Sequence, residues 1–209
     1  MWLGFAVGMV ASNAFEWAVH KYVLHGLGKK KGTYWSFHWH EHHRNVKKNG
    51  MLEPMYEEPL HRAPSKVKEI VGIVSGAAMA TPLLPVAPGF VLAGWVSAGA
   101  YYYVHKKSHL DPEWATKWVP WHVDHHLGPN QDKNWCVTWP LWDWVMGTRV
   151  PYVGTAEQIS RDAAREELRK KREQRARQAA AQAAEPAEVE LPVSELDAAS
   201  GAQLGALAG

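Results

Sequence analysis

Eleven of the 12 histidines in this 209-residue chain stand in four short boxes. His20 and His25 lie in HKYVLH; His38, His40, His42 and His43 in HWHEHH; His105 and His109 in HKKSH; His122, His125 and His126 in HVDHH. Residues three or four apart share one face of an α-helix, so the third and fourth boxes each present imidazoles that converge. Such convergence is what a metal ion needs. Imidazole serves zinc, copper, iron and nickel alike, so residue type leaves the metal open. Ligand number says more: a structural zinc closes with four, and the boxes offer more than twice that, which implies at least two metals. A lone histidine at a helix end reads as structural, but eleven in four boxes do not. His61, in PLHRAP between two prolines, reads as a loop residue. The single Cys136 excludes an intramolecular disulfide and any zinc site built mainly from thiolates. With 23 basic against 21 acidic residues there is no ground for a nucleic-acid partner.

The boxes need elements to carry them, and these read as helices beside apolar segments. From Ile70 to Val104 there is neither charge nor histidine. As one helix this run would be roughly 50 Å long, well beyond the ~30 Å hydrocarbon core of a bilayer. Pro82, Pro85 and Pro88 interrupt it, which predicts a hairpin of two apolar helices, Ile70 to Leu84 and Val86 to Val104. The first arm is short for a full span. Met1 to Phe15 is another uncharged run that continues helically through Glu16 towards Lys21. It lacks the basic start of a signal peptide and reads as a retained anchor.

Ten Lys or Arg lie between Lys21 and Lys68, and none at the hairpin tip. The positive-inside rule therefore puts residues 20–68, the stretch after His105 and the C-terminus on the cytoplasmic side. All 12 histidines fall in those two stretches. Seven of the 12 Trp lie between Trp114 and Trp144, as expected of a belt at the membrane interface. The expected organisation is a membrane domain over 1–154, a charged helical extension over 155–184 and a disordered, acidic tail over 185–209. The fold class is all-α: integral membrane helices and a cytoplasmic helical cap that holds a histidine-rich dimetal site.

The order HX4H, HX3HH, HX3H, HX2HH, followed by Asn134, Trp135 and WDWVMGT from Trp142 to Thr148, resembles the fatty acid hydroxylase and sterol desaturase superfamily. HKYVLHG is also similar to the first box of bacterial carotenoid hydroxylases. The resemblance covers roughly residues 10–150. It implies two non-haem iron ions, replaceable by zinc in isolated protein, that use O2 and two electrons to attack an unactivated C–H bond. By position the ligands would be His20, His25, His38, His42, His43, His105, His109, His122, His125 and His126. His40 intrudes in the second box, so its first ligand is His38 or His40; His38 is preferred because it shares an α-helical face with His42.

Metal-bound imidazoles are oriented through their other ring nitrogen. Glu16, one turn before His20 in an apolar helix, needs a partner, and a hydrogen bond to His20 would supply it. Asp124, Asp111 and Asn134 are further candidates. No flavin motif, cysteine cluster or fused haem domain is visible, so electrons would come from a separate electron-transfer protein. The expected activity is O2-dependent hydroxylation of a membrane lipid: acyl, sphingolipid, sterol or carotenoid. A desaturase on the same site and a non-catalytic metal-binding membrane protein are the alternatives.

Overall fold

The computed structural model describes residues 1–184 of the chain. Among them there are helices and no strands. The chain divides into a unit of Met1–Ser160 and one of Arg161–Gly209. The tail expected to be disordered, 185–209, lies outside the described residues.

Helix α1, Trp2–Ala18, runs straight into a π-helical stretch, Val19–Leu27. A second π-helical stretch, His38–His43, leads into α2, Arg44–Lys48. Then come α3, Pro64–Ala78, and α4, Pro88–Leu110, which pair as a hairpin. Short helices α5, Pro112–Trp118, α6, Pro120–Leu127, and α7, Leu141–Val145, follow. Proline opens α3, α4, α5 and α6, where its missing N–H has no intrahelical partner to lose and its fixed φ suits the helix. Asp111 caps α5 by accepting the Trp114 N–H at 3.0 Å. Helix α8, Ala156–Ala184, is charged and mostly exposed over residues 156–182, with Arg169 paired to Glu166 and Glu173.

Helices α1 and α4 run parallel in close contact, made possible by glycine. A methyl group on Gly8 would sit 2.6 Å from the Ala93 Cβ, and one on Gly89 would strike the Met1 carbonyl. Helix α3 packs antiparallel on α4, and it meets α1 where the Phe15 ring reaches Gly76. The outward faces of these three helices are apolar: Val7, Val10, Val71, Val74, Leu92 and Val96 are all exposed.

The helix ends differ from those predicted by hydropathy. Helix α3 starts six residues before the apolar run, so it includes Lys66, Lys68 and Glu69, and it ends at Ala78, before Pro82. The tip between the arms is a turn with one 3-10 stretch, Thr81–Leu83. Helix α4 starts at Pro88 and continues past Val104 through His105, Lys106 and Lys107. In consequence, among the described residues no helix is long and apolar enough to cross a membrane. The expected spans Ile70–Leu84 and Val86–Val104 are not what forms.

Candidate metal centre

The two π-helical stretches position the first two boxes. Their hydrogen bonds reach from i to i+5, so each turn is wider than an α-turn and residues five apart stack on one face. His20 and His25 are five apart, and so are His38 and His43. All four meet in one buried group with His125 from α6. A second group is formed by His42, His105, His109 and His126. His38 and His42, expected from sequence to share a helical face, do lie side by side with ring centroids 5.3 Å apart, yet they belong to different groups. The neighbours His42 and His43, and likewise His125 and His126, send one imidazole to each group. His122, one turn before His126 on α6, lies with its Nε2 3.1 Å from that of His109. His38 is 3% exposed and within the first group; His40 points outward, its Nε2 3.1 Å from the Lys29 carbonyl oxygen. His61 is exposed in a 3-10 turn, Leu60–Arg62.

Hydrogen bonding does not account for this packing. The His43 Nε2 has three imidazole nitrogens around it, those of His25 at 3.0 Å, His125 at 3.1 Å and His38 at 3.2 Å. One ring nitrogen makes one hydrogen bond, so at least two of these contacts are made without one. The outer nitrogens sharpen the point. The Nδ1–H of His20 donates to the Trp135 carbonyl, that of His125 to the Lys133 carbonyl at 2.7 Å, and that of His25 to Asp132 at 3.2 Å. Each acceptor has no proton to give, so each Nδ1 holds the proton and each Nε2 turns a bare lone pair inwards. Lone pairs that converge at these separations repel unless a cation lies between them. With metal-to-nitrogen bonds of about 2.1 Å, ligands at right angles would be about 3.0 Å apart, close to the spacing observed.

The second group repeats the arrangement. The His109 Nδ1–H donates to the Met51 carbonyl at 2.8 Å and the His105 Nδ1–H to Glu69 at 2.6 Å. Tyr56 donates its hydroxyl proton to Glu69 at 2.7 Å, and its oxygen lies 2.9 Å from the same His105 nitrogen. The His42 Nδ1 is 3.6 Å from Glu53. Both ring nitrogens of His42 and of His126 are buried without a hydrogen-bond partner among the described residues, which is costly unless another ligand takes them up. The residues present thus fit a metal in each group. Burial, followed by the field of neighbouring imidazoles, holds His42 down to about 3; burial likewise brings His125 to about 4. Both are neutral at pH 7, the state in which imidazole binds metal.

The outer partners are mostly not those expected. Glu16 does not bond His20. Its carboxylate accepts the backbone N–H groups of Val137 and Thr138 and the Thr138 hydroxyl. Three unpaired N–H and O–H groups in a loop compete better for that carboxylate than an imidazole whose Nδ1 already has a carbonyl. Asp124 accepts from the N–H groups of Tyr152 and Val153 and pairs with Arg149 at 2.6 Å. Asn134, in the left-handed region at φ 58°, accepts from Arg149 and the Val150 N–H. Asp111 is the α5 cap. All four hold backbone rather than imidazole. The groups that do bond imidazoles, Tyr56, Glu69 and Asp132, and Glu53 3.6 Å from His42, sit in charged stretches where a carboxylate reads as solvated. Only the intrusion of Glu69 at the edge of the apolar run could have drawn notice.

The WDWVMGT segment acquires a physical role here. Asp143, fully buried, accepts the N–H groups of Trp135 and Cys136 at 2.8 Å each, and the Thr148 hydroxyl at 2.6 Å. Trp17 donates its indole N–H to Thr148 at 3.0 Å. Asp143 from one side and Glu16 from the other clamp the loop whose Trp135 carbonyl orients His20. Trp135 is buried against His20, His25 and His125, whereas Trp118 and Trp144 are exposed. Glu69→Gln keeps the shape but weakens the hold on His105, so metal affinity of the second group is expected to fall roughly 10 to 100-fold. Competition with a chelator measures this; unchanged affinity would remove Glu69 from the site.

A cavity of about 440 Å³ lies between α1, α3 and α4, and its wall includes His20, His38, His42 and His105. Along α4 the lining runs from Phe90 to His105, a rise of roughly 22 Å. Most of the wall is apolar, with Phe15, Ile73 and Ala98 facing the space and Gly94 leaving it open.

The family model described as fatty acid hydroxylase matches residues 5–148. No curated protein and no solved structure matches the chain.

Proposed function

The chain belongs to the fatty acid hydroxylase family, and from that premise we propose that it is a membrane-bound diiron oxygenase that hydroxylates a lipid, with electrons from a separate donor. One iron would be held by His20, His25, His38, His43 and His125, the other by His42, His105, His109 and His126 with His122 beside them. The observation that carries this reading is the apolar cavity that reaches imidazoles of both groups. A site that only stored metal would have no use for an oily slot against its ligands.

When bound, the iron pair supplies the oxidising power, drawn from O2 and two electrons, that an unactivated C–H bond requires. The protein does the rest. Trp135, Lys133, Met51 and Glu69 fix the imidazoles through Nδ1, so the donor set is in place before substrate arrives. The cavity wall excludes water and aligns a hydrocarbon chain along α4, so that one carbon faces His20, His38, His42 and His105. The exposed apolar faces of α1, α3 and α4 favour seating in a bilayer, with lipid entering sideways between α1 and α3. The basic residues from Lys21 to Lys68 favour the cytoplasmic face for the histidines and the C-terminus.

Labelled O2 supplied to expressing cells tests the reaction. A lipid that gains one labelled oxygen supports hydroxylation. Loss of two hydrogens without label would replace hydroxylase by desaturase, and bound metal with no O2 consumed in the presence of a reductant would replace both by a metal-binding role. The cavity can be probed separately. A side chain at Gly94 would enter open space, so Gly94→Leu is expected to keep both metals while oxidation of long chains drops about tenfold or more. An unaltered chain-length profile would mean that lipid does not lie there.

A further inference from the structure

The members of the five-histidine group that do not line the cavity, His25, His43 and His125, are sealed from solvent by a small set of side chains. Every imidazole in the two groups is at most 3% exposed. The half-buried indole of Trp39 lies against two of them, with ring centroids 4.9 Å from His25 and 5.3 Å from His43. Lys29 holds its ammonium 4.4 Å above that indole and pairs with Asp132 at 2.6 Å. Asp132 in turn accepts from the His25 Nδ1–H and is 49% exposed. At this one corner, aromatic and hydrogen-bonded contacts run unbroken from solvent to the first histidine group.

The charge around that corner is lopsided. Lys30 and Lys31 are exposed next to Lys29, and the turn carrying them is tied to the second π-helical stretch by His40. Arg44 is exposed one turn beyond His40. Of the acidic groups near by, Asp132 is paired with Lys29, and the one charge of Glu41, which accepts the Ser65 hydroxyl at 2.5 Å, is outweighed by Lys30, Lys31 and Arg44. A surface with free cations and a central, partly exposed indole is suited to an acidic protein partner.

We propose that Trp39 and Lys29–Lys31 form the docking surface and entry point for the electron donor, a small acidic iron–sulfur protein. The inference rests on the functional reading above. Hydroxylation balances as RH + O2 + 2e⁻ + 2H⁺ → ROH + H2O, so each turnover takes two electrons from reduced iron–sulfur clusters, which are oxidised. Lys29–Lys31 steer the donor, and Trp39 fills the gap between it and the imidazoles of His25 and His43.

The test uses the iron-loaded full chain with an acidic plant-type [2Fe–2S] ferredoxin as probe. For the double variant K30E/K31E, ferredoxin affinity is expected to fall about tenfold or more and its salt dependence to flatten, with iron content unchanged. Trp39→Leu is expected to retain iron but slow reduction about tenfold even at saturating ferredoxin, while reduction by dithionite stays as in the parent protein. Equal affinity of parent and K30E/K31E proteins, or no binding by either, would overturn the proposal, as would equal slowing of Trp39→Leu with both reductants. The functional reading fails by a different result: no lipid oxidised by the parent protein with dithionite, even where charge-dependent binding supports the surface.

Discussion

His43→Ala is expected to cut bound iron from close to two ions per chain to close to one. The residue stands at the centre of the five-histidine group, with three imidazole nitrogens within 3.2 Å of its Nε2. Its removal leaves those nitrogens without their common neighbour, whereas the second group keeps all its members. Lipid oxidation should fall by more than the roughly 10 to 100-fold that loss of an outer partner causes. His40→Ala is the internal control, because His40 faces Lys29 and neither group. Elemental analysis of the two variants decides the matter: equal iron in both would refute the division into two groups.

Acid should strip and destabilise the protein well above the pH at which carboxylates protonate. His42 and His125 are held near 3 and 4, chiefly by burial, against an ordinary 6.5. A histidine depressed in the folded state takes up its proton first in the unfolded chain. As pH falls below 6.5 the unfolded chain therefore binds more protons, and stability is lost until the folded values of about 3 to 4 are reached. Above 6.5 these groups leave stability independent of pH. The slope for each such residue is about 1.4 kcal/mol per pH unit, and protons compete with metal for the same Nε2 lone pairs. Melting and bound iron measured from pH 7.5 to 5 test this. A metal-free protein that melts at one temperature across that range would show that the imidazoles are not buried neutral.

The helical class and the family were legible because box order and apolar runs are patterns of residue type. The pairing inside the boxes was not. HX4H reads as two residues on different α-helical faces; only a π-turn brings His20 over His25 and His38 over His43, and nothing in the residue types announces the wider turn. The same turn assigns His38 and His42 to different groups, although their rings lie 5.3 Å apart. Glu16 was noticed for the right reason, a carboxylate in an apolar helix, yet its partners come from residues 137–138, a pairing across more than a hundred residues. Glu69 and Tyr56 went unnoticed because a carboxylate just before an apolar run looks like a solvated helix start. The apolar run and the helix do not coincide, because α3 begins among charges at Pro64.

The outer partners of the two groups differ in net charge, and this makes the two positions unequal to a cation. Around the five-histidine group they are backbone carbonyls and Asp132, whose charge is half in water and offset by Lys29. Around the other group two carboxylates, Glu53 and Glu69, are buried within reach of His42 and His105. A low-dielectric surround magnifies that difference. The four-histidine position is therefore the deeper electrostatic well, and of two bound ions it would favour the one of higher charge and release it last. Two bound ions would thus be ordered by affinity although their ten imidazoles are copies of one side chain, and the carboxylates that set the order lie behind the imidazoles.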